Sequence, residues 1–285
     1  MRLDAGRALL GHNGIGRGSR PILHLHRNTM QLRILGCSGG IGGTNRTTSM
    51  LLGERTLIDA GTGVGDLTVD EMARIDQVFL THAHLDHIAC LPMMLDNVLG
   101  LRDRPVTVHA NRATLQVLRD HVFNWAIWPD FSAIPSPEAA MLRFAAMEIG
   151  ETREVDGCRI TALPVLHTVP AVAYAFDSGA ATLVFSGDTT DSPEFWRALN
   201  AIDNLRTLIV ETAFADREEG LARLSKHFSP RLLVGALAQL ARPEAVEVLI
   251  THLKPADHAL TMREVLEQGA GYRIARLEQG QVIQF

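Results

Sequence analysis

Lysine is almost missing from this chain of 285 residues. Only Lys226 and Lys254 occur among 27 basic residues, and the formal charge is −5. A long polyanion is gripped through many phosphate contacts, so a long nucleic acid is not the expected partner. Cysteine is scarce too: Cys37, Cys90 and Cys158 form an odd set without a C-x-x-C pair. That excludes a disulfide framework, makes thiolate zinc sites unexpected, and fits a reducing, cytoplasmic location. Long apolar runs are also lacking. Ile88–Leu95 falls well short of the ~20 residues that cross a bilayer, so no membrane partner is expected. Residues 1–30 carry five arginines and no continuous apolar stretch of the kind a secretory signal needs. What is present suffices for a folded core, with 46% hydrophobic and 21% charged residues. The unusual abundance is histidine, at twelve, the commonest metal ligand and the acid–base residue of neutral pH.

Residues 1–29 read as a flexible arm, with scattered glycines and arginines and with His12, His24 and His26 in a solvated tail. Residues 30–285 read as one domain, with no composition break after residue 30. Strands are expected at Gln31–Leu35, Ser49–Leu52, Thr56–Asp59 and Gln77–Thr81, then helices at Ile88–Leu101 and Asn111–Val122. A second series follows, with strands at Cys158–Leu166, Ala171–Phe176, Ala181–Phe185, Thr207–Glu211 and Val248–Thr251. Its helices fall at Ser192–Leu199, Pro230–Leu240 and Thr261–Gln268, and Tyr272–Leu277 and Gln281–Phe285 close the chain. Two successive halves of this kind suit two sheets sandwiched between helices.

The sharpest signal is Thr81-His82-Ala83-His84-Leu85-Asp86-His87, directly after the apolar Val78-Phe79-Leu80. At two-residue spacing His82 and His84 project the same way from an extended chain. Asp86 and His87 follow where the chain turns, so four donors can face one small volume. Imidazole with carboxylate suits zinc, manganese or iron. Four donors are too few for two metals, and His167, Asp188 and His252, each just after an apolar strand, are the candidates for the rest. His109 and His258 match no ligand pattern and read as structural; His121 stays unassigned.

With these residues in view, the sequence resembles the metallo-β-lactamase superfamily over essentially residues 31–285. The motifs are THAHLDH (81–87), the histidine of VLHTVP (165–170), the aspartate of FSGDTT (185–190) and the histidine of ITHLKP (250–255). The resemblance implies an α/β fold, the αββα four-layer sandwich. It implies two divalent ions, usually zinc: His82, His84 and His167 on one, Asp86, His87 and His252 on the other, Asp188 bridging. Within the superfamily, the segments 121–129, 186–200 and 209–230 are similar to class II cyclic-nucleotide phosphodiesterases, of the ribonuclease Z-like branch. Hydrolysis of cAMP and/or cGMP to the 5′-monophosphate by a hydroxide shared between the metals is the implied activity, with a homodimer allowed. Asp86 joins His227 and Glu211 in the implied catalytic set, His227 as the acid for the leaving oxygen and Glu211 as its orienter. Lys226 departs from the family's pattern, which tends to have glycine before that histidine.

Ser38 in the glycine loop 36–43, and Asn124 and Trp128 in the aromatic segment, are candidate substrate contacts. The nearest rival is a tRNA 3′-processing endoribonuclease of the same superfamily, resembling the chain in all metal motifs. Such enzymes usually carry an arm between the third histidine and the bridging aspartate, where only residues 168–187 lie here. A lactonase is permitted by the ligands alone, and a metal-stabilised binding module would be expected to lose ligands.

Overall fold

The computed structural model describes residues 29–285; the arm read at 1–29, with its three histidines, lies outside the described residues apart from Thr29. The strands are β1 (Gln31–Gly36), β2 (Ser49–Leu52), β3 (Thr56–Ala60), β4 (Gln77–Phe79), β5 (Val106–Ala110), β6 (Leu142–Ala146), β7 (Thr152–Val155), β8 (Cys158–Pro164), β9 (Val172–Asp177), β10 (Thr182–Phe185), β11 (Leu205–Glu211), β12 (Glu247–Thr251), β13 (Arg273–Arg276) and β14 (Val282–Gln284). They make two seven-stranded mixed sheets, ordered β14-β1-β2-β3-β4-β5-β6 and β13-β12-β11-β10-β9-β8-β7. In the first, β3 to β6 run parallel; in the second, β10 to β13 do.

The central strands β3, β10, β11 and β12 are mostly buried on both faces and read as apolar runs whose alternate residues serve different layers. Leu183 and Phe185 of β10, Ile209 of β11 and Leu249 of β12 point into the layer between the sheets, where they meet Ile34, Ile58 and Phe79. Val184, Leu208, Val210, Val248 and Ile250 point outward. There they meet α5 (Pro193–Asn200), α7 (Pro230–Leu237) and α8 (His258–Gln268), with α6 (Glu219–Ser225) leading from β11 toward α7. The first sheet is covered by α1 (Val69–Arg74), α2 (Leu85–Ile88), α3 (Leu91–Asn97) and α4 (Arg112–Val117). The αββα sandwich is thus the architecture. No helix among the described residues is long and apolar enough to cross a membrane.

Several boundaries differ from the sequence reading. The helix expected over 88–101 is shorter: α2 ends at Ile88, and α3 runs only over Leu91–Asn97, with Pro92 in its first turn. The one expected over 111–122 is α-helical only through Val117, after an Asn111 cap that accepts from the Thr114 amide, and then widens into a π-turn at Leu118–Val122. Three strands, β5, β6 and β7, escaped the pattern, as did the helices α1 and α6. The signal for α1 was legible: Thr68 and Glu71 form a reciprocal capping box.

His109 of β5 is the structural histidine expected. Its ring stacks on Phe79 with centroids 4.4 Å apart, and its Nε2 lies 2.7 Å from Gln77 Oε1. Burial, and then Arg153, bring its pKa down to about 4. The folded state therefore favours neutral imidazole. The contribution to stability is complete above the unfolded value near 6.5 and is lost as pH falls from there toward about 4. Urea melts should show His109→Phe losing about 2 kcal/mol less than the parent between about pH 7.5 and about pH 5. Equal losses in both proteins would show that His109 carries none of the acid sensitivity.

Candidate metal centre

The cluster forms where parallel strands from both sheets end, the edge at which open α/β sheets place ligands. From β4 the chain runs through Leu80 and Thr81 into His82 and His84, and the single turn of α2 carries Asp86 and His87. From the second sheet come His167 beyond β8, Asp188 beyond β10, Glu211 at the end of β11 and His252 one residue past β12. Two glycines permit the approach. Gly187 has φ +59°, and a Cβ there would lie 2.9 Å from Thr81 Cβ. A Cβ on Gly39 would lie 2.3 Å from the His252 carbonyl oxygen. His252 itself sits at φ +62°, a conformation that costs a β-carbon-bearing residue free energy and that recurs at functional sites.

The donors fall into two groups that share Asp188: His82, His84, His167 and Asp188, and Asp86, His87, Asp188 and His252. In the first, His82 Nε2 lies 3.0 Å and His167 Nε2 3.2 Å from His84 Nδ1. Asp188 Oδ2 lies 3.6 Å from His82 Nε2 and 3.8 Å from His167 Nε2. In the second, Asp188 Oδ1 is 3.3 Å from His87 Nε2 and 3.4 Å from His252 Nδ1. Asp86 Oδ2 closes that group, 4.0 Å from His87 Nε2 and 3.7 Å from His252 Nε2. Tetrahedral coordination with bonds of ~2.1 Å sets donors roughly 3.4 Å apart, so these spacings fit divalent transition ions. The two oxygens of Asp188 face different groups, as a bridging carboxylate must.

Hydrogen bonding points the same way. His87 Nε2 and both ring nitrogens of His252 are buried without a hydrogen-bond partner, a costly state for polar atoms unless something accepts their lone pairs. The remaining ring nitrogens are fixed from behind. Thr81 Oγ1 donates to Asp59 Oδ2 at 2.9 Å, so it accepts from His82 Nδ1 at 3.0 Å. Asp59 Oδ2 accepts from His87 Nδ1 at 2.7 Å. The Lys226 carbonyl accepts from His167 Nδ1 at 3.1 Å. Each bond puts the proton on Nδ1 and leaves Nε2 with its lone pair toward the cluster, the usual device for orienting a histidine ligand.

Protonation equilibria agree. Burial holds His82 well below its ordinary value, lowers His84, and brings His167 to about 4 and His252 to about 3, so the imidazoles favour the unprotonated form a metal requires. Burial would push His87 down as well, but Asp188 and Asp59 raise it well above its ordinary value: positive charge is what this position favours. Burial opposes ionisation of Asp188, yet the surrounding imidazoles, His252 first, hold it well below the carboxylate range.

Beside the cluster, His227 Nδ1 lies 2.7 Å from Glu211 Oε1. Glu211 is fully buried and also accepts from the amides of Thr189 at 3.1 Å and Phe228 at 3.3 Å. The His227 ring lies 5.3 Å from that of His252 and 5.0 Å from that of His167, centroid to centroid.

The substrate contacts expected from sequence fare differently. Asn124 spends its amide on its own turn, donating to the Asp120 carbonyl and accepting from the amides of Ala126 and Ile127. Trp128 packs half-buried against the outer core of the first sheet. Among the described residues neither makes a hydrogen bond or ring contact with the cluster; their residue types, which allow base recognition, are used for a loop. Ser38 makes a long 3.4 Å bond to the Leu253 carbonyl and lines a cavity of ≈ 170 Å³ with Asn45, His258 and Arg276. Asp59 and Thr81 were missed as supports. The available signal was an acid inside the apolar strand Leu57-Ile58-Asp59-Ala60.

The comparisons with known proteins follow this geometry. The family described as Beta-lactamase superfamily domain matches residues 54–253, and the chain belongs to that superfamily. It is similar to a probable 3′,5′-cyclic-nucleotide phosphodiesterase of Yersinia pestis, 26% identical over 238 residues, covering 72% of this chain and 67% of that protein. It is also similar to ribonuclease Z of Bradyrhizobium diazoefficiens, 31% identical over 159 residues, covering 52% of this chain and 50% of that one. The chain thus spans from half to two thirds of the length of these relatives. Among solved structures, unliganded yeast PDE1 superposes with a TM-score of 0.73 at 18% identity, over 89% of this chain and 99% of that one. The short form of human tRNase Z superposes with a TM-score of 0.62 at 15% identity, over 89% of this chain and 98% of that one. The structural likenesses show the fold alone; the family match, the sequence relatives and the donor groups support a metal-dependent phosphodiesterase or nuclease of this superfamily.

Proposed function

We propose that the protein is a 3′,5′-cyclic-nucleotide phosphodiesterase that hydrolyses cAMP and/or cGMP to the 5′-monophosphate. The observation that carries the reading is the carboxylate-held imidazole of His227 packed between two ligand histidines. His82, His84, His167 and Asp188 would hold one divalent ion and Asp86, His87, Asp188 and His252 a second, with zinc the best match and manganese or iron admitted. Such ions supply a nucleophile at neutral pH and screen the charge that grows on a phosphodiester. The chain's own part is the proton. Burial disfavours the charged form of His227, but Glu211 outweighs it and raises the pKa, so the imidazolium persists toward neutral pH. Glu211 holds Nδ1, which leaves Nε2–H to donate to the departing 3′-oxygen as the phosphorus–oxygen bond breaks. A small anionic substrate is the partner in this reading.

Similarity to ribonuclease Z supports a second reading, tRNA 3′-end cleavage by the same groups. The short span from His167 to Asp188 weighs against it, because it is filled by β9, β10 and their turns. Assays of cAMP, cGMP, bis-nitrophenyl phosphate and a tRNA precursor, with and without chelator, separate the two. Chelator-sensitive turnover of a cyclic nucleotide is expected. Activity on the generic ester alone would remove the cyclic nucleotide, precursor cleavage would favour the nuclease, and no activity on any would end the enzymatic reading.

A further inference from the structure

Lys226 stands at the C-cap of α6 with φ 53° and ψ 50°, left-handed angles that favour glycine and disfavour every residue with a β-carbon. A lysine is retained there in a chain with only one other. Its contacts suggest a reason. The Lys226 carbonyl accepts from His167 Nδ1 at 3.1 Å, while Lys226 Nζ donates back to the His167 main-chain carbonyl at 3.0 Å. One residue therefore holds both the ring and the backbone of the third histidine ligand. The next residue in the chain is His227.

We propose that Lys226 is a positioning residue: a two-way clamp that locks His167 to the His227 loop and slows loss of the ion held by His82, His84 and His167. The two halves of the clamp are separable. The carbonyl bond fixes the ring and needs only the left-handed backbone, which any residue tolerating that conformation provides. The ammonium bond fixes the segment between β8 and β9 that carries His167, and it belongs to the side chain alone. The backbone on either side is tied elsewhere, with the Leu166 amide donating to Thr189 Oγ1 at 3.2 Å, the Leu166 carbonyl accepting from the Thr190 amide at 3.0 Å, and the Pro170 carbonyl accepting from Asn111 at 3.2 Å; the ammonium adds the tie on the His167 carbonyl itself. A half-buried ammonium bonding a carbonyl is a charge-assisted contact, stronger than a neutral one. The inference rests on the metal-centre reading and is independent of the substrate.

Two variants test it against a merely structural role. Lys226→Gly removes the ammonium and relieves the left-handed strain, so its melting temperature should equal or exceed the parent's. Lys226→Met removes the ammonium but keeps the stem and the strain, so its melting temperature should not rise. Both are expected to surrender zinc to a chromogenic chelator about tenfold faster than the parent, the kinetic counterpart of one lost charge-assisted bond. Release rates that match the parent, or that follow melting temperature instead of the loss of the ammonium, would overturn the clamp. Parent protein that takes up no zinc would remove the metal-centre reading itself and the clamp with it. Parent protein that holds zinc, with both variants releasing it at the parental rate, would remove the clamp alone.

Discussion

Alanine at position 188 is expected to lower phosphodiester hydrolysis by on the order of 10³-fold and to reduce the bound metal. Asp188 is 2% exposed, and each of its oxygens faces a different group of imidazole nitrogens, between 3.3 and 3.8 Å away. Both groups lose a donor when it goes, and His87 loses one of the two carboxylates that raise its pKa. Asp188→Asn keeps the shape and removes the charge, so it should fold like the parent and still lose metal. Elemental analysis of the purified variants, read beside turnover, checks the expectation. Full metal content with parental activity would mean that Asp188 does not bridge.

His227→Ala separates chemistry from metal binding. Turnover should fall by roughly 10²–10⁴-fold, the usual contribution of a positioned general acid. Metal content should stay unchanged, because His227 is spent on Glu211 and belongs to neither donor group. Substrates whose leaving oxygen needs no proton, such as a nitrophenyl ester, should lose much less than a cyclic nucleotide. Metal loss in this variant would instead make His227 a support of the neighbouring ligand rings. An equal loss on both substrates would remove the proton-donor role.

How much of this was legible beforehand depended on whether the chemistry was local. THAHLDH announces itself because strand geometry and a following turn bring its four donors together within six residues. His167, Asp188 and His252 could be ranked only by their shared position after apolar strands and by family resemblance, since their convergence depends on two sheets meeting. Asp59 went unnoticed as a support for the opposite reason. Its partners, Thr81 and His87, are 22 and 28 residues away, and a buried acid becomes informative only once its partners are known. Asn124 shows a converse limit: an amide in an aromatic segment suggests base recognition, while its contacts in the fold are to local backbone groups, as asparagine in turns commonly allows. The strands β6 and β7 were illegible because their half-exposed patterns lack the apolar runs that mark their neighbours.

The layer of side chains between the sheets acquires a second meaning from where the donors originate. His82, His84, Asp86 and His87 ride on one sheet, and His167, Asp188 and His252 on the other. The gap between the two sets is therefore gauged by Phe79, Phe185, Ile209 and Leu249, packed together in the apolar interior. Interiors packed to crystal-like density transmit displacement instead of absorbing it. A methylene added or removed in that layer would act as a change of calibration at the rim, altering the span offered to the ions without touching any atom that could bind them.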